Sequence, residues 1–294
     1  MIDAIESSVV ICGLPASGKT TYLAALWHVV IERTNPDAVL KFDTLKDGDH
    51  AHLQAIARRW RQAKVQIHTE TSSGKIVSMK LKDAAGRKVR MTFPDLSGES
   101  YQQIWEAREC APELAKLLQE GNGILLFIHA DKIKAPMGVA EISRHAAGLA
   151  NNGTPEESSF EEWHPKDAPT AVQLVEILQM LRSDALRAPA RKLAVVFSAW
   201  DKVEEEEVSP EELMTRDLPL LDQYLRYGLG DWEVRIYGLS AQGGEYEEEG
   251  AAKDVDRDAK VAEIRAVSDA ANRIRLLTPE LSTDLTEPIA WLTQ

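Results

Sequence analysis

The chain has 294 residues, enough to bury the core of one large α/β domain or two small ones. Hydrophobic residues make up 44% and charged residues 28%, an ordinary globular balance, and the net charge of −13 argues against a nucleic-acid or anionic-membrane surface, since like charges repel. Cys12 falls within an expected buried strand and Cys110 within an expected helix, so no disulfide framework or cysteine metal site is expected and a reducing cytoplasm fits. No basic-then-apolar leader opens the sequence, and no run approaches the about 18 apolar residues of a membrane span. A cytoplasmic protein is expected.

Ser8–Cys12 (SVVIC) is a β-branched apolar run, the glycine-rich GLPASGKTT follows, and Tyr22, Leu23, Leu26, Val29 and Val30 recur at helical spacing. The order is strand, tight loop, helix. Residues 39–44 (VLKFDT) alternate as a strand, and residues 48–64 form an amphipathic helix whose Arg58, Arg59 and Arg61 make a solvated face. Val77, Met79 and Leu81, then Val89, Met91 and Phe93, alternate with polar residues around KDAAGRK. Asp83 and Gly86 suit a turn there, so an antiparallel hairpin is predicted. It delivers the chain to Pro94–Glu99 (PDLSGE), after which one helix is expected from about Ser100 to Glu120, bracketed by Gly121 and Gly123.

Gly123–Ala130 (GILLFIHA) reads as a strand covered on both faces. Residues 131–168 mix Gly, Pro, Asn and acids and read as a solvent-facing insertion. An amphipathic helix spans 170–186, a buried strand Lys192–Ser198, a solvated acidic run VEEEEV, a helix 210–227 and a last strand WEVRIYGLS. A second insertion is expected over 243–280, then a final helix from Thr286 to Leu292. Alternating strands and helices predict an α/β fold: a doubly wound, mainly parallel sheet with one antiparallel strand, in a single domain over 1–294.

Gly13-Leu14-Pro15-Ala16-Ser17-Gly18-Lys19-Thr20 satisfies G-x-x-x-x-G-K-[ST] at every fixed position, with a strand before it and a helix after. Glycines let backbone N–H groups curl around phosphate oxygens, and the next helix presents its positive end to the same anion. Lys19, expected at an exposed loop position, would reach the β- and γ-phosphates, Thr20 would ligate Mg²⁺, and Thr21 extends the phosphate-binding run. A plain glycine loop would explain the glycines but not the Lys and Thr. At the end of the hairpin, Asp95 can hold Mg²⁺ and Gly98 can donate its N–H to the γ-phosphate. Asp201, after the strand ending at Ser198, can accept from guanine N1–H and N2–H₂, a pair adenine lacks; the competing role is a helix N-cap. Lys202 adjoins it, and Ser240 and Ala241 end the last strand, where a backbone N–H can meet guanine O6.

Taken together and in order, these four elements resemble a TRAFAC-class GTPase, the Ras-like division of P-loop proteins. Within that class, GLPASGKTTYLAALW, DLSGE and TEPIAWL are similar to bacterial double-GTPase-type domains, found in multi-gene systems of conflict or signalling. The resemblance implies GTP and GDP as ligands, Mg²⁺ as cofactor, hydrolysis as the activity, and partner proteins encoded in the same system. It also exposes departures. The base box is Asn-Lys-x-Asp, and Ser198 and Ala199 replace its first two residues; Trp200 either packs near the base or is structural. The water-orienting glutamine is replaced by Glu99, a candidate catalytic residue beside Lys19, or else a surface glutamate favoured by the start of a helix. Thr44, Thr69 and Thr71 are the candidates for the switch-one threonine. A nucleotide-binding module with little turnover, and a P-loop ATPase, are the alternatives.

Overall fold

Runs of apolar residues too long to leave one face wet set the centre of this molecule. The computed structural model describes residues 7–47, 50–66, 76–94, 99–136, 138, 164–189, 191–204, 207–248, 250, 254–278 and 280–294. Ser7–Gly13 (β1), Gly123–His129 (β5), Lys192–Ser198 (β6) and Glu233–Ser240 (β7) lie side by side and parallel. Along β5, Leu125 and Phe127 enter the core on one face, while Ile124, Leu126 and Ile128 enter the core on the other. Both faces are buried because helices cover both.

On the other side of β1, the hairpin forms as its alternation predicts: Val77–Lys82 (β3) pairs antiparallel with Lys88–Phe93 (β4), Val77 opposite Phe93. Asp83 closes the turn by accepting from the Gly86 N–H at 3.1 Å. β4 then runs parallel to β1. An edge strand, Lys41–Asp47 (β2), joins β3 with two register shifts, and Arg275–Leu277 (β8) and Leu281–Ser282 (β9) extend the far side. The sheet order among the described residues is β2-β3-β4-β1-β5-β6-β7-β8-β9. Two strands, β3 and β8, therefore oppose the main direction, where the sequence predicts one. The second lies in the span expected as an insertion, which also holds the helix Val255–Ala266 (α8).

The helices are α1 (Lys19–Glu32), α2 (His50–Arg61), α3 (Glu99–Ala107), α4 (Pro112–Glu120), α5 (Thr170–Arg182), α6 (Pro210–Asp217), α7 (Pro219–Tyr227), α8 and α9 (Glu287–Leu292). Two expected helices are each split, both by proline. The span 100–120 breaks at Arg108, which is left-handed at φ 57°, and Ala111 takes the extended φ −58°, ψ 139° that a following proline imposes. Pro112 then starts α4 at the position where its missing N–H costs nothing. The span 210–227 breaks at Leu218, which leaves helical geometry at φ −128°, ψ 49°, and Pro219 starts α7. No helix among the described residues is long and apolar enough to cross a membrane.

The C-terminal segment closes the first core. Asp284 accepts from the N–H and hydroxyl of Thr286 and from the N–H of Val39, and Thr286 Oγ1 accepts from the Leu40 N–H at 3.0 Å. Tyr22 of α1 donates to the Leu285 carbonyl at 2.8 Å. Thr286 is fully buried and Leu40 nearly so, so the Thr286 hydroxyl and the Leu40 N–H have no water as a substitute partner. Thr286→Val should cost about 1–3 kcal/mol by leaving the Leu40 N–H unpaired. An unchanged urea midpoint would show that the cluster does not hold the fold together.

Burial raises both thiols. Cys12 is fully enclosed in β1, and burial pushes its thiol up to about 12, against the smaller opposing effects of Tyr101 and Lys19; burial also raises Cys110. A raised thiol stays protonated, and so unreactive, through neutral and mildly alkaline pH. Iodoacetamide at pH 8 should leave Cys12 unmodified in the native chain and label both cysteines in guanidinium; rapid native labelling mapped to Cys12 would contradict this.

Candidate functional site

β1 hands the chain to α1 through a loop whose conformation only its own residues permit. Gly18 holds φ 90° and a Cβ there would lie 2.7 Å from Ser198 Oγ, so both backbone and packing exclude a side chain. Gly13 is as constrained, since its Cβ would meet Ser17 Oγ at 2.6 Å. Ala16 is also left-handed, at φ 56°. The loop ends at the amino terminus of α1, where unpaired N–H groups and the helix dipole favour an anion. Pro15 and Ala16 are exposed, Ser17 is buried and Thr20 and Thr21 are half-buried.

Lys19 is not exposed, as the sequence suggests, but 2% accessible. It is the first residue of α1, and its ammonium turns back to donate to the Gly13 carbonyl at 2.8 Å, the Leu14 carbonyl at 2.9 Å and Ser17 Oγ at 3.3 Å. The reason is polar satisfaction: a tight loop gathers carbonyl oxygens that its own N–H groups do not reach, and a buried cation needs such acceptors.

β6 brings up the second wall. Ser198 Oγ donates to the Ser17 carbonyl at 2.9 Å, tying the loop to the end of β6. Ala199 follows in a left-handed conformation (φ 53°) and turns the chain into a short 3₁₀ turn, Trp200–Lys202. Trp200 is structural: it is buried, its ring lies tilted beside that of Phe197 at 6.3 Å, and it packs so close to Gly238 that a Cβ there would lie 2.6 Å from the indole. Asp201 accepts from Ser240 Oγ at 2.5 Å, and Ser240 Oγ accepts in turn from the Gly243 N–H at 3.0 Å. The cap position of the turn belongs to Ala199, with no side-chain cap bond, so Asp201 is held by β7 rather than spent on capping. Lys202 pairs with Glu245 at 2.7 Å, which pulls the Glu245 carboxyl below its usual range.

A cavity of about 250 Å³ opens between these walls at the carboxyl ends of β1, β5, β6 and β7. Ala16, Ser17, Gly18, Lys19, Thr20 and Thr21 line it from one side, and Ser198, Asp201, Lys202 and Ala241 from another. Gly13 and Pro15 shape the loop without lining the cavity, and Ser240 lies behind Asp201 as its support. Glu99 is exposed as the first residue of α3, away from the lining residues, where the helix dipole favours a carboxylate. Asp95 and Gly98 lie outside the described residues, as do Thr69 and Thr71; Thr44 is exposed on β2. The sequence reading leaves a third group unnamed: His52, Ile56, Val65 and Gln66 from α2 and its tail, His129 at the end of β5 and Lys132 just after it. His129 carried a usable signal, a polar residue ending an apolar strand, the same signal that marks Ser198 and Ser240.

Residues 10–292 match the sequence profile of the Double-GTPase 1 family. The chain belongs to that family. It is thereby a Ras-like P-loop GTPase, as the motifs anticipate, and GTP binding comes with the membership. No curated protein matches it in sequence. Solved structures are similar only distantly. The Plasmodium falciparum protein described as nucleolar GTP-binding protein 1 is 12% identical at a TM-score of 0.39, over 90% of this chain and 88% of that one. The Arl6 small GTPase of Trypanosoma brucei is 13% identical at 0.35, over 90% and 100%. The GTPase-like domain of Ski7 from S. cerevisiae is 9% identical at 0.44, over 91% and 52%. Similarities this distant say nothing of the chemistry here, and the family match stands by itself.

Gly18→Ala should destabilise the fold by about 1–3 kcal/mol, from the left-handed strain alone, with the Ser198 contact adding to it. A thermal midpoint equal to that of the native chain would mean the loop adapts easily and that its close approach to β6 is unimportant.

Proposed function

We propose that this domain binds GTP and GDP with Mg²⁺ in the cavity above and hydrolyses GTP as a molecular switch. The observation that carries the reading is convergence: Ala16–Thr21, Ser198, Ala199, Asp201, Lys202 and Ala241, far apart in sequence, line one space at the strands' carboxyl ends. Loop N–H groups, the α1 dipole and Lys19 suit the phosphates. For the ammonium to reach a phosphate it exchanges loop carbonyls for phosphate oxygens, so nucleotide and loop compete for the same cation. Thr20, half-buried on the cavity at the first turn of α1, and Asp95 would hold the metal, whose preference is for such oxygen donors. When bound there, Mg²⁺ neutralises charge on the β- and γ-phosphates. Asp201, oriented by Ser240, reads guanine through charge-assisted bonds. β3, antiparallel between β2 and β4, supports the Ras-like division over an all-parallel P-loop ATPase.

We read 1–294 as one domain decorated at 131–168 and 243–280, with any partner proteins meeting its surface. A second reading, nucleotide binding with little turnover, is favoured by Glu99, which lies exposed at a helix start rather than on the cavity. Single-turnover hydrolysis of GTP by the native chain and by Glu99→Gln separates the two: equal, near-zero rates favour the binding module.

Competition binding of GTP, GDP and ATP, with and without Mg²⁺, tests the main reading. Wild type should prefer guanine to adenine nucleotides by roughly 2–4 kcal/mol, the cost of a buried charged acceptor left without its donors. Asp201→Asn should shift preference toward XTP, and Asp95→Asn should erase the Mg²⁺ effect on affinity. Lys19→Ala should abolish tight triphosphate binding, but it must be read beside an unfolding curve because Lys19 also satisfies its loop. Equal wild-type affinity for GTP and ATP would sink the guanine assignment.

A further inference from the structure

α2 lies between β2 and β3 and is fastened over the base side of the cavity. Trp60, fully buried, donates from its indole N–H to the Ala241 carbonyl at 2.8 Å. The tail beyond α2 is pinned by its backbone: the Val65 N–H donates to the Glu247 carbonyl at 2.9 Å, and the Glu247 N–H to the Ala63 carbonyl at 2.8 Å. Arg59 grips the Val65 carbonyl, with Nε at 3.0 Å. Gln66 thus arrives on an immobilised segment, and its amide is oriented by Nε2 donating to the Ile56 carbonyl at 3.0 Å. Its Oε1 is buried and accepts from no described residue.

From the strand ends, His129 lines the same cavity. It is the register partner of Ser198, next to the site's second wall, and its Nδ1 is buried without a hydrogen-bond partner among the described residues. Burial, followed by the Lys132 charge, pushes the imidazole below its usual range, against the smaller opposing pulls of Asp131 and Asp201, so the ring is neutral at pH 7. A neutral ring with its proton on Nε2 presents a lone pair at Nδ1. A buried polar atom without a partner is costly to a fold. Gln66 and His129 both line the cavity and each carries such an atom, on elements tied down by other bonds, which marks a place for a polar guest.

We propose that Gln66 and His129 are the nucleoside-contacting residues of this site, accepting hydrogen bonds from hydroxyl or amino donors on the ribose–base portion of a bound guanine nucleotide. This rests on the guanine-nucleotide reading and adds to it a specificity pair that no motif contains. With Asp201 the cavity then offers three acceptors, which suits guanosine, with its ring N–H, amino group and ribose hydroxyls, better than adenosine.

The test uses the full chain with GDP, 2′-deoxy-GDP and IDP, against Gln66→Met and His129→Phe. Each variant should bind GDP about tenfold more weakly. The analogues locate the donor: a variant that has lost a ribose contact no longer distinguishes 2′-deoxy-GDP from GDP, and one that has lost an amino contact no longer distinguishes IDP. His129→Phe should melt, without nucleotide, at or above the wild-type temperature, because it deletes an unsatisfied atom; a merely structural histidine would lower it. Wild-type binding of GDP with both variants within twofold of it overturns the proposal, as does a His129→Phe melting loss in step with its affinity loss. Wild type that binds no GDP is a different failure, and overturns the guanine reading beneath it.

Discussion

Ser198 holds the phosphate loop against the end of β6, and the site's geometry depends on that contact. Its hydroxyl donates to the Ser17 carbonyl, and its side chain fills the space that any residue larger than glycine at position 18 would need. Loop and base-side wall are therefore one rigid unit. An asparagine at this position, as in the family's base box, would bring a longer amide. A serine does the tethering with a shorter reach, which matches the absence of any Cβ on Gly18. The neighbouring replacement, Ala199, follows a different logic. Its methyl group leaves the cavity open towards β5, where His129 stands.

Rigidity continues outward by polar contacts rather than by apolar packing alone. Ser240 relays between the Gly243 backbone and Asp201, so the carboxylate is aimed by the strand beside it. Trp60 fastens α2 to Ala241, the next residue along. The end of β7 thus has one neighbour in the turn after β6 and another in a helix from the first third of the chain. This is how lining residues from distant segments share one cavity wall.

What was legible in the sequence was local. The phosphate loop announces itself because left-handed glycines and an adjoining Lys-Thr have few other uses, and the β3–β4 hairpin because alternation and a turn sit together. The split helices were legible too, had Pro112 and Pro219 been given the weight their missing N–H groups warrant. The direction of the Lys19 side chain was not, because it depends on carbonyls that converge only after the loop closes. Gln66 and His129 were hidden for a related reason. Neither belongs to a motif, and what distinguishes them is the lack of a partner, a property that exists only in the folded chain. The antiparallel β8 is short, at three residues, and its pairing with β7 is set by tertiary context rather than by propensity.

The contact between Leu40 and Thr286 joins residues 246 positions apart. On a ribosome making about 5–20 residues per second, roughly 12–50 s separate the emergence of the two. Through that interval α1 and the start of β2 have no Asp284, Thr286 or Leu285 to close over them. Tyr22 and the other apolar residues of α1 must wait beneath an unfinished roof. Their exposure during synthesis, more than any weakness of the finished fold, is where this chain is most vulnerable to misassembly.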